Sequence, residues 1–199
     1  MSTAVILAGG QSRRMGRDKT QLLYGGKTLL EGAVQRFSAC FDRVWVSVAD
    51  PAKYPQLQAE QVADEFPGCG PLAGLHAALK KTPDEGVFLV AADLPFSDPR
   101  AALKLMELCG DCHAAILADE EGRFEPAFAY YRKELLPDAE AALQAGQYKM
   151  VALLDNHPVR RVSPAELGEL WQPNLLDNIN YPEDYRRITG EFTPHANYN

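Results

Sequence analysis

The chain has 199 residues, of which 46% are hydrophobic and 24% charged, the balance of a folded domain with a sizeable core. Its net charge of −7 argues against a general nucleic-acid binder, which is ordinarily basic, but leaves room for a small anionic ligand held by local positive charge. Met1 to Ala8 lacks a basic leader region, and no apolar run approaches the ~20 residues of a membrane span, so a cytoplasmic protein without membrane association is expected, with Cys40, Cys69, Cys109 and Cys112 as reduced thiols.

In chain order, Thr3 to Ala8 (TAVILA) is a nearly continuous apolar run rich in β-branched residues, the pattern of a strand buried on both faces. Leu30, Ala33, Val34 and Phe37 recur at helical spacing and predict a helix over 29–37. Val44 to Val48 reads as a second strand. Leu72 to Leu79 reads as a helix, with Pro71 suited to its first turn. Val87 to Ala92 is a third strand, and Ala101 to Leu108 a helix capped by Ser97 or Asp98. Strands follow over Ala114–Leu117 and Pro126–Tyr130, then a helix from about Lys133 to Ala145 that stops at Gly146. Val159 to Val162 is a further short strand and Pro182 to Ile188 a final short helix. This alternation predicts an α/β fold, a mostly parallel sheet with helices on both faces. Residues 1–190 read as one domain and the polar residues 191–199 as a loose tail.

Cys109, Cys112 and His113 spell CGDCH, which matches the pattern of covalent haem attachment and could also be half of a zinc site. No export signal, second CxxC or HxxxH accompanies it. The preferred reading is structural: a helix ends at Gly110 and a strand begins near His113.

Ligands of open parallel sheets sit at the carboxyl ends of the strands. The first strand is followed by GGQSRRMGRDK, residues 9–19, which puts Arg13, Arg14, Arg17 and Lys19 into one loop of an acidic protein. Gly9, Gly10 and Gly16 allow tight turns, and exposed N–H groups in such a loop make an anion-binding concavity. The expected ligand is a polyphosphate. A P-loop needs GxxxxGK followed by Ser or Thr, and the dinucleotide fingerprint needs GxGxxG; neither fits. After the third strand comes Asp93, which reads either as a helix-capping or turn aspartate before Pro95 or as a carboxylate at the end of an apolar run whose burial asks for a cation. Mg2+, which takes a few carboxylates together with phosphate oxygens and waters, suits that place. Gly70-Pro71-Leu72-Ala73-Gly74 opens the helix before this strand and falls on the same edge.

With these residues in view, LAGGQSRRMGRDK resembles the signature loop of the nucleotidyltransferases related to sugar-phosphate nucleotidylyltransferases. GPLAG at 70–74, AADLP at 91–95 and NINYPEDY at 178–185 resemble more narrowly the molybdenum cofactor guanylyltransferases. The resemblance spans nearly the whole chain. It implies a Rossmann-like three-layer nucleotidyltransferase fold with a mostly parallel, mixed central sheet. It implies transfer of GMP from GTP to the terminal phosphate of the molybdenum-molybdopterin cofactor, with Mg2+ and release of pyrophosphate. It also implies transient contacts with cofactor-assembly proteins and apo-molybdoenzymes. By position, Leu7, Ala8, Gly9 and Gly10 match the nucleotide-contacting loop, Lys19 its phosphate-binding lysine and Arg14 a loop arginine. Ser47, Asp64 and Gly70 fall on the nucleotide side, Asp93 matches the metal ligand, and Asn178 and Asn180 the paired asparagines near the acceptor. The chain departs from the family at three places. Ser47 stands where a relative has asparagine, Ala92 where cysteine is frequent, and Glu125-Pro126 where the family's dipeptide begins with histidine. Arg123 and Glu125 are therefore weak candidates for acceptor contact. A related transferase using CTP or another phosphorylated acceptor would share the loop and Asp93, as would a non-catalytic nucleotide-binding accessory protein.

Overall fold

The computed structural model describes residues 1–8, 18–118 and 123–190. The elements in chain order are β1 (Thr3–Leu7), a 3-10 turn (Lys19–Gln21), β2 (Leu23–Tyr24), β3 (Lys27–Thr28), α1 (Leu29–Ser38), β4 (Arg43–Val48) and β5 (Glu60–Ala63). They continue with α2 (Pro71–Lys81), β6 (Gly86–Ala91), α3 (Pro99–Leu108), β7 (Ala114–Ala118), β8 (Phe124–Arg132), α4 (Leu136–Gln144), α5 (Met150–Leu154), β9 (Val159–Val162), α6 (Pro164–Leu167) and α7 (Pro182–Thr189).

Among the described residues, seven strands form one sheet in the order β5-β4-β1-β6-β8-β7-β9. Every neighbouring pair is parallel except those made by β8, which runs antiparallel to both β6 and β7. The mixed, mostly parallel sheet is the one expected. Period-2 alternation sorts the strand residues to two faces. Ile6, Val46, Phe88 and Phe128 pack on Leu30 and Phe37 of α1 and Leu105 of α3. Val5, Leu7, Leu89 and Tyr131 pack on Leu72, Leu75 and Leu79 of α2 and Leu143 of α4. The result is three layers, helix–sheet–helix. A third, smaller apolar cluster joins Leu22 and Leu29 to Ile179 and is separate from the other two.

Local chemistry accounts for the ends of these elements. α1 opens on a capping box, in which the Thr28 hydroxyl accepts from the Glu31 N–H and the Glu31 carboxylate from the Thr28 N–H. α3 is capped by Asp98, whose carboxylate accepts from Arg100 N–H. α2 has no side-chain cap; Gly70 holds that position at φ 73°, a conformation that side chains disfavour, and Pro71 supplies the first turn.

The chain from Lys133 begins as a 3-10 turn, and the α-helix starts only at Leu136, with Pro137 in its first turn. The strand expected over 126–130 is longer, since β8 spans 124–132. Around CGDCH, α3 ends at Leu108 and β7 begins at Ala114. Cys109 is buried, and its thiol donates to the Cys112 carbonyl at 3.1 Å. Gly9, Gly10, Arg13, Arg14, Gly16 and Arg17 of the first loop, and the tail 191–199, lie outside the described residues. No helix among the described residues is long and apolar enough to cross a membrane.

Candidate active site

Because six strands of the sheet share one direction, β1 and β6 deliver their carboxyl ends to the same edge; β8, running the other way, delivers its start there. A cleft of about 360 Å³ opens at that edge, lined among others by Leu7, Ala8, Lys19, Gly70, Asp93 and Glu125. Asn178 and Asn180 of the C-terminal segment complete its wall.

Lys19 is placed by a knot of hydrogen bonds behind it. Asp18 caps the 3-10 turn through the Thr20 N–H (3.1 Å) and accepts from the Thr20 hydroxyl (2.8 Å). Its other carboxylate oxygen takes the Tyr54 hydroxyl (3.1 Å) and the Lys53 ammonium (2.7 Å). Burial works against the Asp18 charge, but the bonds from Lys53 and Thr20 outweigh it and hold this carboxyl below its ordinary range. With Thr20 and Tyr54 buried in the knot, the Lys19 side chain is directed to the cleft. There its ammonium pairs with the Asp93 carboxylate and donates to Asn180 Oδ1 at 3.3 Å.

Asp93 follows β6 and is mostly buried. Its backbone is gripped from outside the sheet, because the Ile179 N–H donates to the Asp93 carbonyl at 3.1 Å. Asp184 accepts the N–H groups of Asn180 and Tyr181 (3.0 and 2.9 Å), which fixes the asparagine against Lys19. Arg36 reaches from α1 to the Leu94 carbonyl at 3.1 Å and supports the turn from behind. On the opposite wall the amino end of α2, with Gly70 and Pro71 in the cleft and no acidic residue in its first turn, favours an anion.

Ser47 and Asp64 form a pair beside the cleft and do not line it. The Ser47 hydroxyl donates to Asp64 Oδ1 at 2.8 Å. Burial pushes the Asp64 carboxyl above its ordinary range, against the lowering effect of that hydroxyl. Ser47 is turned under α2 at Gly74, where an added Cβ would stand 2.4 Å from its Oγ. Thr20, Tyr54 and Glu125 are the contributions the motif pattern passed over or undervalued. For Thr20 and Tyr54 the sequence carries no signal, since they act through a loop closure.

Glu125 and Asp93 put two carboxylates in one cleft with Lys19, which pairs with Asp93. Among the described residues no three His, Cys, Asp or Glu side chains converge as a metal cage. That donor set fits a hard cation that takes one or two carboxylates and fills its remaining positions with waters and phosphate oxygens, as Mg2+ does.

A mixed α/β/α sheet with a lysine–aspartate cleft at its carboxyl edge is the architecture of a nucleotidyltransferase. Residues 4–162 match the MobA-like NTP transferase domain, and the chain belongs to that family. It is 33% identical to the probable molybdenum cofactor guanylyltransferase of Methanosarcina mazei, over 94% of this chain and 90% of that one. It is 36% identical to the probable molybdenum cofactor guanylyltransferase of Opitutus terrae, over 92% of each. Among solved structures, molybdopterin-guanine dinucleotide biosynthesis protein A from Archaeoglobus fulgidus superposes with a TM-score of 0.83 at 27% identity, over 95% of this chain and 97% of that one.

Proposed function

We propose that the protein transfers GMP from GTP to the terminal phosphate of the molybdenum-molybdopterin cofactor, in the cytoplasm and with Mg2+. The observation that carries this reading is the meeting of Lys19 and Asp93, 74 residues apart in sequence, in one cleft beside Asn180 and the amino end of α2. The names of the relatives supply the substrates; the cleft supports the reading with a lysine and a helix amino end suited to phosphate.

The reaction needs no protein nucleophile. An oxygen of the acceptor phosphate bonds to the α-phosphorus of GTP, the bond from that phosphorus to the bridging oxygen breaks, and pyrophosphate leaves with the electron pair. The protein aligns two anions and neutralises charge as it builds on the departing phosphates. Lys19 serves the β- and γ-phosphates, helped by Arg14 and the backbone N–H groups of Gly9 and Gly10. Leu7, Ala8 and Gly70 bound the nucleotide, with Ser47 and Asp64 beyond them on its side. Asn178 and Asn180 face the acceptor. Bound at Asp93, the cation adds Lewis-acid neutralisation of phosphate oxygens. The product is then handed to cofactor-assembly proteins or apo-molybdoenzymes by transient contact.

The test is an assay of the purified protein with molybdenum-molybdopterin, Mg2+ and each of the four nucleoside triphosphates in turn. Pyrophosphate release with GTP alone supports the reading. Faster release with CTP overturns the guanylyl assignment, and release with none of the four overturns transfer to this acceptor.

A further inference from the structure

We infer that Glu125 is a second carboxylate of the cation site, holding the divalent ion together with Asp93, directly or through a water. The inference rests on the nucleotidyl-transfer reading of the cleft and adds to it a residue that the loop and helix motifs do not contain.

The sheet register makes the case. β8 runs antiparallel to β6, with Gly86 opposite Arg132, Phe88 opposite Tyr130 and Val90 opposite Phe128. β6 ends at Ala91, and the chain turns there, the Leu94 N–H donating to the Ala91 carbonyl at 3.2 Å, so Asp93 sits just past the strand while Glu125 sits near the start of β8, and both line the cleft. On the alternating pleat, Ala127, Ala129 and Tyr131 of β8 face the same side as Val87 and Leu89 of β6, and Glu125 continues that row of β8 into the cleft that Asp93 also lines. In a sheet of wholly parallel strands this position would belong to another carboxyl end. The reversal of β8 brings a strand's start here.

The Glu125 carboxylate is fixed, not waving. Its Oε1 accepts the Ala127 N–H at 2.9 Å, and the buried Tyr131 hydroxyl donates to the Pro126 carbonyl at 2.7 Å, holding the intervening backbone. Glu125 is close enough to Asp93 and Lys19 to feel both charges. Among the described residues that line the cleft, the two carboxylates outnumber the one ammonium, a poor local reception for a triphosphate. A divalent cation between them reverses that sign, and the nucleotide then sees net attraction.

The test measures metal binding and not turnover. Mn2+ is titrated into the full-length protein with a non-hydrolysable GTP analogue, and free Mn2+ is read from its electron paramagnetic resonance signal. Glu125→Gln keeps an oxygen for the Ala127 N–H and removes the charge, so its thermal midpoint should match the wild type. We expect its Mn2+ dissociation constant to rise by about 10–100-fold, while metal-free nucleotide affinity holds or improves. Glu125→Asp, which keeps the charge but withdraws it, should fall between. Mn2+ affinity unchanged in Glu125→Gln overturns the assignment. Running a CTP analogue in parallel separates the two readings: a wild type that prefers CTP speaks against guanylyl transfer, and the Glu125 comparison is then read in the CTP series.

Discussion

Lys19 pairs with Asp93 and leans on Asn180, so in the proposed reaction an incoming triphosphate competes with a carboxylate for the ammonium. Both side chains are partly screened by the open cleft, which limits what the pair adds to stability. In the proposed reaction, what Lys19 adds to the transition state is larger, because charge develops there in a partly desolvated site. Lys19→Ala should lower kcat/KM by about 10²–10³-fold, by analogy with the loss of one oxyanion donor, and shift the thermal midpoint by only a few degrees. Pyrophosphate release and a melting curve measure both; full turnover in the variant would remove Lys19 from the reaction. Ser47→Ala makes a different prediction. The Asp64 carboxyl is already raised by burial, and the Ser47 hydroxyl is what holds the rise in check. A raised folded-state value means that the native protein binds the Asp64 proton more tightly than the unfolded chain does. This contribution favours folding below the ordinary aspartate value and fades as pH rises through the folded one. Removing the hydroxyl deepens that loss, so Ser47→Ala should cost about 1 kcal/mol near pH 7 and distinctly less near pH 4. Urea denaturation at the two pH values reads the difference, and an equal cost at both would sink the argument. At this scale the sequence singled out Lys19 and Asp93, through a basic glycine-rich loop and a carboxylate after an apolar strand, and the structure brings the two together in one cleft. The sequence marked Glu125 only weakly, through the Glu125-Pro126 dipeptide, because the reversal of β8 that brings this residue to the cleft beside Asp93 belongs to topology.

α2 approaches the sheet at Gly74, over Leu7 and Ser47. A Cβ there would stand 2.4 Å from Ser47 Oγ and 2.7 Å from Leu7 Cδ2, both closer than real contacts allow. Alanine gains about 1 kcal/mol over glycine in a helix interior, but overpacking a filled site costs about 1–3 kcal/mol, and one of the clashing atoms belongs to a residue at the cleft. Gly74→Ala should therefore be net destabilising by about 1–2 kcal/mol and weaken nucleotide binding as α2 is pushed outward. Chemical denaturation and a binding titration check it, and a more stable variant would show that helix propensity wins. The elements legible in the sequence share one property. β1, β6 and β7 are buried along nearly their whole length and show it as unbroken apolar runs. β5 has Val62 as its one buried residue among Glu60, Gln61 and Ala63, so as an edge strand it leaves almost no pattern. The two-residue strands β2 and β3 are too short to have a period, and the single turn α5 is too short to be told from a loop.

Across the whole molecule, the active edge is closed by a segment remote in sequence from the loop that opens it. Ile179 is fully buried in the small cluster with Leu22 and Leu29, flanked by Tyr24, Tyr185 and Ile188. The Tyr185 hydroxyl donates to the Leu23 carbonyl at 2.7 Å, and the Leu29 N–H to the Leu22 carbonyl at 2.9 Å, so this cluster ties residues 19–29 to 178–188. Lys19 stands at one end of the tie and Asn180 at the other, while the Ile179 N–H holds Asp93. Removing the Ile179 side chain leaves its backbone bond possible but takes away the apolar contact that presents it. Burial of an isoleucine of this kind is worth about 2–5 kcal/mol against alanine. Because the cluster is separate from the two main cores, the loss should appear first as local opening and only partly as a lower global stability. Ile179→Ala should speed amide exchange at Thr20, Leu22, Asn180 and Tyr181, leave exchange in β1 and β6 near the wild-type rate, and reduce turnover through loss of the Asn180–Lys19–Asp93 alignment. Hydrogen exchange resolved by residue is the measurement. Uniform acceleration through β1 and β6 would mean that the cluster supports the fold as a whole and is not a separate clasp on the active edge.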